Sequence, residues 1–265
     1  MEIVGYIAAA LIGISLGLIG GGGSILTVPA LVYLFGMQPI LATSYSLFIV
    51  GSTSLVGAYN NWRKGAISLR TAGLFGVSSI ATVLLTRGLI VHALPEHLFY
   101  LGSLPVTLSL LTMVLFAALM IAAGISMLSS FKVQAGKKMH RNRLPILLLY
   151  GVGVGLITGF LGAGGGFVLI PALVLLVGLP MKKAIGTSLL IIALNSTIGF
   201  LGDLPHLTID WPFLLGVSAI AVAGIFIGGR LGKKIPGARL RRAFGWFVLA
   251  MGIIILFIET MAQLR

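Results

Sequence analysis

Gly20-Gly21-Gly22-Gly23-Ser24-Ile25-Leu26-Thr27-Val28-Pro29-Ala30-Leu31-Val32 occurs a second time in this chain, as Gly162-Ala163-Gly164-Gly165-Gly166-Phe167-Val168-Leu169-Ile170-Pro171-Ala172-Leu173-Val174. The offset is 142 residues, and the alignment runs without a gap from Gly13/Gly155 to Gly57/Gly199. Seventeen of its 45 positions are identical, among them Gly36/Gly178, Ala42/Ala184, Ser46/Ser188, Leu47/Leu189 and Ser54/Ser196. Chance in so apolar a chain would match roughly a tenth, so the two stretches are copies of one unit.

Composition sets the medium in which that unit folds. Apolar residues make up 58% of the chain and charged residues 9%, with a mean hydropathy of +1.14. A water-soluble core cannot absorb that much apolar surface, whereas lipid can. The sequence therefore reads as one membrane bundle with two related halves, bounded at 1–128 and 145–265 and joined by a basic linker at 129–144. Glu2 stands where a signal peptide would carry basic residues, so the first apolar segment is expected to be retained. The net charge of +13 does not indicate nucleic acid, because there is no soluble basic domain and no interleaving of aromatic and basic residues. The absence of cysteine excludes disulfides, thiolate metal sites and thiol catalysis.

Five apolar segments are expected in the first half (3–19, 25–36, 41–59, 66–86 and 98–128) and five in the second (145–161, 167–179, 184–201, 209–229 and 241–260). Segments 25–36 and 167–179 are short for a crossing of about 17–25 residues; each reads as a half-helix or one arm of a re-entrant hairpin. Segment 98–128 is too long, and Pro105 kinks it or marks its start. Alternating through the segments places 16 of the 18 basic residues on one side, which the positive-inside rule makes cytoplasmic. Arg87, Arg265 and all five acidic residues fall on the other side, in loops. Five segments is an odd number, so the second copy enters the membrane from the opposite side and the repeats are inverted.

Repeated glycine breaks in equivalent apolar segments are the sequence mark of a transporter and of its binding site. A glycine run costs about 1 kcal/mol per residue in a helix relative to alanine. It makes sense where backbone unwinds beside protein or a water-filled cavity. The helix that starts after each run presents free N–H groups and a positive dipole end. Two such ends directed at one midplane cavity suit an anion. Neutral side chains in the following segment add donors: Thr43, Ser44, Ser46, Ser52, Thr53 and Ser54 in one copy, and Thr187, Ser188, Asn195, Ser196 and Thr197 in the other. The substrate-binding set expected from these features is Gly20, Gly21, Gly22, Gly23, Ser24, Ser46, Gly162, Gly164, Gly165, Gly166, Thr187, Ser188 and Asn195. The competing structural roles are helix-carbonyl bonding by each hydroxyl and, for Gly13, Gly17, Gly151, Gly155 and Gly159, small-residue helix packing. No acidic residue is expected within the membrane, which argues against a cation pump built on a carboxylate relay. An intramembrane hydrolase using Ser24 lacks a base within a segment, and a pure scaffold lacks docking loops, so no catalytic residue, metal or cofactor is expected.

The paired Gly-rich/Pro-Ala-Leu motifs, the Ala-x-x-x-Ser-Leu that follows each, and the basic linker resemble the TauE/SafE sulfite-exporter family over nearly the whole chain. The family motif maps onto Gly20, Gly22, Gly23 and Pro29, and onto Gly162, Gly164, Gly165 and Pro171. The resemblance implies a multi-pass permease of the prokaryotic plasma or inner membrane. It would export sulfite, sulfoacetate or a related sulfonate, with proton-coupled import of an organosulfur or other small anion as the alternative. The implied partners are that small anion and the lipid bilayer. The copies differ, Ser24 facing Gly166 and Thr43-Ser44-Tyr45-Ser46 facing Ile185-Gly186-Thr187-Ser188, so the cavity is not symmetric.

Overall fold

The computed structural model describes the chain except residues 1, 20, 92, 96, 102–103, 129–143, 163, 176, 232–236 and 264–265. Gly20 thus lies outside the described residues. So do the linker cations Lys132, Lys137, Lys138, Arg141 and Arg143, with His92, Glu96, His140, Lys233, Lys234 and Arg265.

The chain is built of helices. In the first half these are α1 (Glu2–Ile19), a 3-10 turn (Gly21–Leu26), α2 (Thr27–Tyr33), α3 (Pro39–Arg63), and α4 (Leu69–Leu85) continued by a π-helical turn (Thr86–Val91). The second half supplies α6 (Leu144–Leu161), α7 (Gly166–Leu175), α8 (Met181–Asp203) and α9 (Trp211–Leu231). The starts of α1, α3 and α4 recur at the same offset of 142 in α6, α8 and α9. The fifth helices break that register. α5 (Leu108–Leu128) follows a two-stranded antiparallel hairpin, β1 (His97–Leu101) and β2 (Leu104–Thr107), whereas α10 (Gly237–Gln263) has none before it among the described residues. The long segment expected at 98–128 is therefore hairpin plus helix. Pro105 lies in β2, paired with Tyr100, where the missing N–H of an edge position is tolerated.

Among the described residues, five spans are long and apolar enough to cross a membrane: Pro39–Arg63, Leu69–Val91, Leu108–Ser126, Lys182–His206 and Trp211–Leu231. The two Gly-flanked helices are not. α2 has 7 residues and α7 has 10, about 10 and 15 Å at 1.5 Å per residue against about 30 Å of hydrocarbon. α3 and α8 form the inner pair, with 67% of each span buried against 39% for the other three.

Local bonds recur with the repeat. Met37 N–H donates to the Leu31 carbonyl at 3.1 Å, as Leu179 N–H does to Leu173. Gly36 and Gly178 turn the chain with φ of +69° and +73°, where only glycine is unstrained. The Tyr45 hydroxyl accepts from the N–H of Asp210 at 2.7 Å, and Thr187, its repeat equivalent, accepts from the N–H of Ser68 at 2.9 Å. Helix packing recurs as well: α1 lies on α9 as α6 lies on α4. Contacts along α3 and α8 run in opposite senses. Ser44 meets Asp203, Gly51 meets Ser196, Gly57 meets Leu189 and Asn61 meets Gly186. The two copies of this helix therefore cross antiparallel.

Lipid-facing helices gain little from burying apolar side chains against one another, so they hold together by close backbone approach. The α1–α9 seam uses four glycines for this. A side chain on Gly13, Gly17, Gly224 or Gly228 would run into the backbone carbonyl of Ala221, Ile225, Ala10 or Ile14, respectively. On the α4–α6 seam, Gly151, Gly155 and Gly159 face Phe75, Ser79 and Thr86. The packing role expected for Gly13, Gly17, Gly151, Gly155 and Gly159 is what these contacts show. Gly216, on the exposed face of α9, has nothing within 4 Å of a built Cβ. Gly13→Leu should lower the melting temperature of the detergent-purified protein, by a cost of about 1–3 kcal/mol or more. Gly216→Ala should leave that temperature unchanged or raise it, since alanine favours a helix by about 1 kcal/mol.

Candidate functional site

The second Gly-rich break is a left-handed turn. Gly162, Gly164 and Gly165 have φ of +64°, +65° and +66°, between the end of α6 and the first residue of α7, Gly166. Three left-handed residues within four positions reverse the chain in a way alanine could not follow without strain. The first break differs, forming the 3-10 turn Gly21–Leu26, which packs against α7. The sequence asymmetry of Ser24 against Gly166 is thus also a difference in backbone form. Gly21, Gly22 and Gly23 lie in that 3-10 turn with Ser24, which is fully buried.

Protein surrounds the left-handed turn closely. A side chain on Gly162 would strike the backbone of Thr43 on α3, and Ser46 donates a hydrogen bond to the Gly162 carbonyl at 2.8 Å. A Cβ on Gly164 would lie 2.7 Å from Val50 Cγ1, 2.9 Å from Ile192 Cγ2 and 3.2 Å from Ser196 Oγ. One on Gly165 would overlap the hydroxyl of Thr158. The turn thus sits where α3, α6 and α8 meet. Ser196 Oγ and Thr158 Oγ1 are buried and have no hydrogen-bond partner among the described residues. Ser54 Oγ, the repeat equivalent of Ser196, and Asn195 Oδ1 are in the same condition. A buried hydroxyl left unpaired costs about 1–3 kcal/mol, and two of these four groups, Ser196 and Thr158, lie beside the left-handed turn.

The expected site residues divide by what they touch. Ser46 and Gly162 meet each other, and Gly164 and Gly165 meet Ser196 and Thr158. Asn195 donates from Nδ2 to Ser79 Oγ on α4. Ser188 donates to the Ile185 carbonyl of its own helix at 2.9 Å, the structural role weighed for it above. Thr187 faces the loop before α4 through its bond to Ser68 and does not reach the turn through it.

Two charges overturn the sequence reading. The apolar pattern sets Arg87 and Asp203 in external loops, yet both are fully buried within spans, Arg87 in the π-helical turn and Asp203 in the last turn of α8. Their Nη1 and Oδ2 are 2.9 Å apart. Ser44 on α3 donates to the same Asp203 oxygen and accepts from Arg87 Nη1 at 3.3 Å. By contrast Arg63, Lys64, Arg70, Lys182, Lys183, Arg230, Arg239 and Arg242 are all exposed. The ion pair and the glycine turn meet the same turn of α3. Thr43 and Ser46, on either side of Ser44, touch Gly162, while Gly159 packs on Thr86 beside Arg87. Apolar residues on both sides of Arg87 (Leu84, Leu85, Leu89 and Ile90) were the signal that the span continued through it.

Residues 6–255 match the family model described as Sulfite exporter TauE/SafE. A probable membrane transporter protein of Xylella fastidiosa is 28% identical over 256 residues, covering 94% of this chain and 93% of that one. The probable membrane transporter protein YdhB of Bacillus subtilis is 25% identical over 254 residues, covering 93% and 97%. One from Methanocaldococcus jannaschii is 26% identical over 268 residues, covering 96% and 93%. No solved structure matches the chain. With its several apolar spans and a family match over nearly its whole length, the chain belongs to the TauE/SafE sulfite exporter family of membrane transporters.

Proposed function

We propose that this protein is a secondary transporter that moves a small sulfur-containing anion, such as sulfite, sulfoacetate or a related sulfonate, out of the cytoplasm by alternating access. The observation that carries the reading is the left-handed turn Gly162–Gly165 set against the unpartnered hydroxyls of Ser196 and Thr158. An oxyanion accepts hydrogen bonds and donates few, so it matches hydroxyl donors and the N-terminus of α7, where backbone N–H groups and the helix dipole favour negative charge. Gly20 to Gly23, Ser24, Ser46, Gly162, Gly164, Gly165, Gly166, Thr187, Ser188 and Asn195 belong to this reading as the binding set. Ser46 and Thr187 shape it through the backbone they hold.

Alternating access follows from the two copies being inverted about the membrane plane. The antiparallel crossing of α3 and α8 and the paired bonds at Tyr45 and Thr187 support that relation. Rocking one copy against the other would then open the site to each side in turn. The basic clusters at 63–70 and 182–183 lie at the same end of the α3–α8 pair, assigned as cytoplasmic in a plasma or inner membrane. With that side negative, exporting one negative charge gains about 2.3 kcal/mol per 100 mV, so efflux needs no coupling ion. Proton-coupled import is a second reading, favoured by one observation, the buried carboxylate of Asp203.

In inside-out proteoliposomes, uptake of radiolabelled sulfite should saturate and rise when the lumen is made positive. Flux that ignores the potential but follows a proton gradient would replace uniport export with coupled import. Gly164→Ala, which strains a residue at φ +65° and crowds Val50, should abolish uptake. Ser196→Ala is the sharper variant, because it removes a hydroxyl with no partner in the described protein. It should leave the melting temperature unchanged or higher while weakening apparent sulfite affinity several-fold, a drop of about 1 kcal/mol for one hydrogen bond. A fall in stability with unchanged affinity would make Ser196 structural.

A further inference from the structure

We infer that Arg87 is the resident cation of the transport site and that Asp203 is its exchangeable counter-ion. The transported oxyanion takes the guanidinium in exchange for the carboxylate. This deepens the export reading above and rests on it.

The first ground is the medium. Arg87 and Asp203 are fully buried in spans that cross the hydrocarbon. A buried pair rarely holds a fold better than apolar residues of similar volume would. Ionisable groups inside a membrane segment mark ion and substrate pathways.

The second ground is the repeat, which supplies an internal control. The equivalents of Arg87, Asp203 and Ser44 in the other copy are Gly229, Asn61 and Gly186. The same helix junction forms there without charge: Asn61 Cβ lies 3.1 Å from a Cβ built on Gly186, and Asn61 Nδ2 donates to the Gly57 carbonyl of its own helix at 2.8 Å. The architecture closes at that end with a glycine against the Ala66 carbonyl. The ion pair is therefore an addition at one end of the molecule and not a requirement of the shared scaffold.

The third ground is position. Thr43-Ser44-Tyr45-Ser46 is one turn of α3 that serves both features, Thr43 and Ser46 at the glycine turn and Ser44 at the ion pair. A sulfite or sulfonate group is, like a carboxylate, a planar-edged set of acceptor oxygens that fits the guanidinium fork. When such an anion approaches from the glycine turn, the two oxyanions compete for one cation. Asp203 keeps Ser44 as a donor when it gives up Arg87. Since Arg87 is on the continuation of α4 and Asp203 on α8, the exchange also releases the tie between those helices, coupling occupancy to movement.

The test compares full-length wild type, Asp203→Asn, Arg87→Gln and the charge-neutral double variant in detergent. Sulfite binding is read as the shift in melting temperature on titration with sodium sulfite. Removing the internal competitor in Asp203→Asn should tighten sulfite binding about tenfold, within the usual span of a coupling between sites. Arg87→Gln should lose the response. The double variant should fold and be unresponsive. A merely structural tie predicts the opposite pattern: both single variants destabilised alike, no gain in affinity in Asp203→Asn, and a sulfite response retained in the double variant. That pattern would overturn the exchange. If Asp203→Asn purifies only as aggregate, sulfate in the purification buffer should restore monodisperse protein, and failure to do so overturns it equally. If wild type ignores sulfite, sulfite is excluded as the transported anion. The exchange is then decided by inorganic sulfate, which must stabilise Asp203→Asn and not the double variant.

Discussion

Hydrocarbon offers a peptide group no hydrogen-bond partner, and the rest of this structure follows from that constraint. A glycine run within apolar sequence must be compensated where it breaks the helix. At the second break the compensation is specific: Ser46 donates to the Gly162 carbonyl from α3, and the Gly162 N–H is returned to Thr158 of α6 at 3.0 Å. The left-handed glycines then fit against Thr43, Val50, Ile192 and Ser196 with no room for a Cβ. Meeting the backbone's needs at this one turn brings α3, α6 and α8 together.

The same constraint explains why the halves resemble each other in scaffold and differ in chemistry. Positions that settle backbone bonds are kept in both copies by function if not by identity, as Tyr45 accepts the N–H just before α9 and Thr187 the N–H just before α4, each in the opposite copy. Positions that need no such bond are free to diverge. Ser44, Arg87 and Asp203 are polar or charged on one side, and their equivalents Gly186, Gly229 and Asn61 are neutral on the other. The alternating access proposed above would use this combination, a common scaffold with unlike contacts at its two ends.

Much of the fold was legible in the sequence, and its failures have physical causes. The apolar runs place α1, α3 and α4 and their partners within about three residues of their observed starts, because hydropathy changes sharply where an apolar helix meets a polar loop. The hairpin at 97–107 is not separable from the helix after it by hydropathy, because a short apolar strand and an apolar helix read alike there; Pro105 is the available warning. The candidate site was half legible. Glycine runs announce themselves, so Gly162, Gly164 and Gly165 and their neighbour Ser46 are in the expected binding set, whereas Ser196 and Thr158, which also meet the turn, are not. Which hydroxyl bonds its own helix and which faces the turn depends on rotation about each helix axis, and so Ser188 and Ser196 could not be told apart. Arg87 and Asp203 were read as loop residues because a charge in an apolar sequence normally ends a span. A buried partner removes that penalty, and the partner is 116 residues away.

The most direct measurement is an experimental structure with selenite, the heavier analogue of sulfite, located by its anomalous scattering. A single strong peak is expected at the junction of the Gly162–Gly165 turn, Ser196 and Arg87, with the Arg87–Asp203 contact lengthened beyond hydrogen-bonding distance. A peak confined to the exposed basic loops, with the turn closed and the ion pair intact, would contradict it.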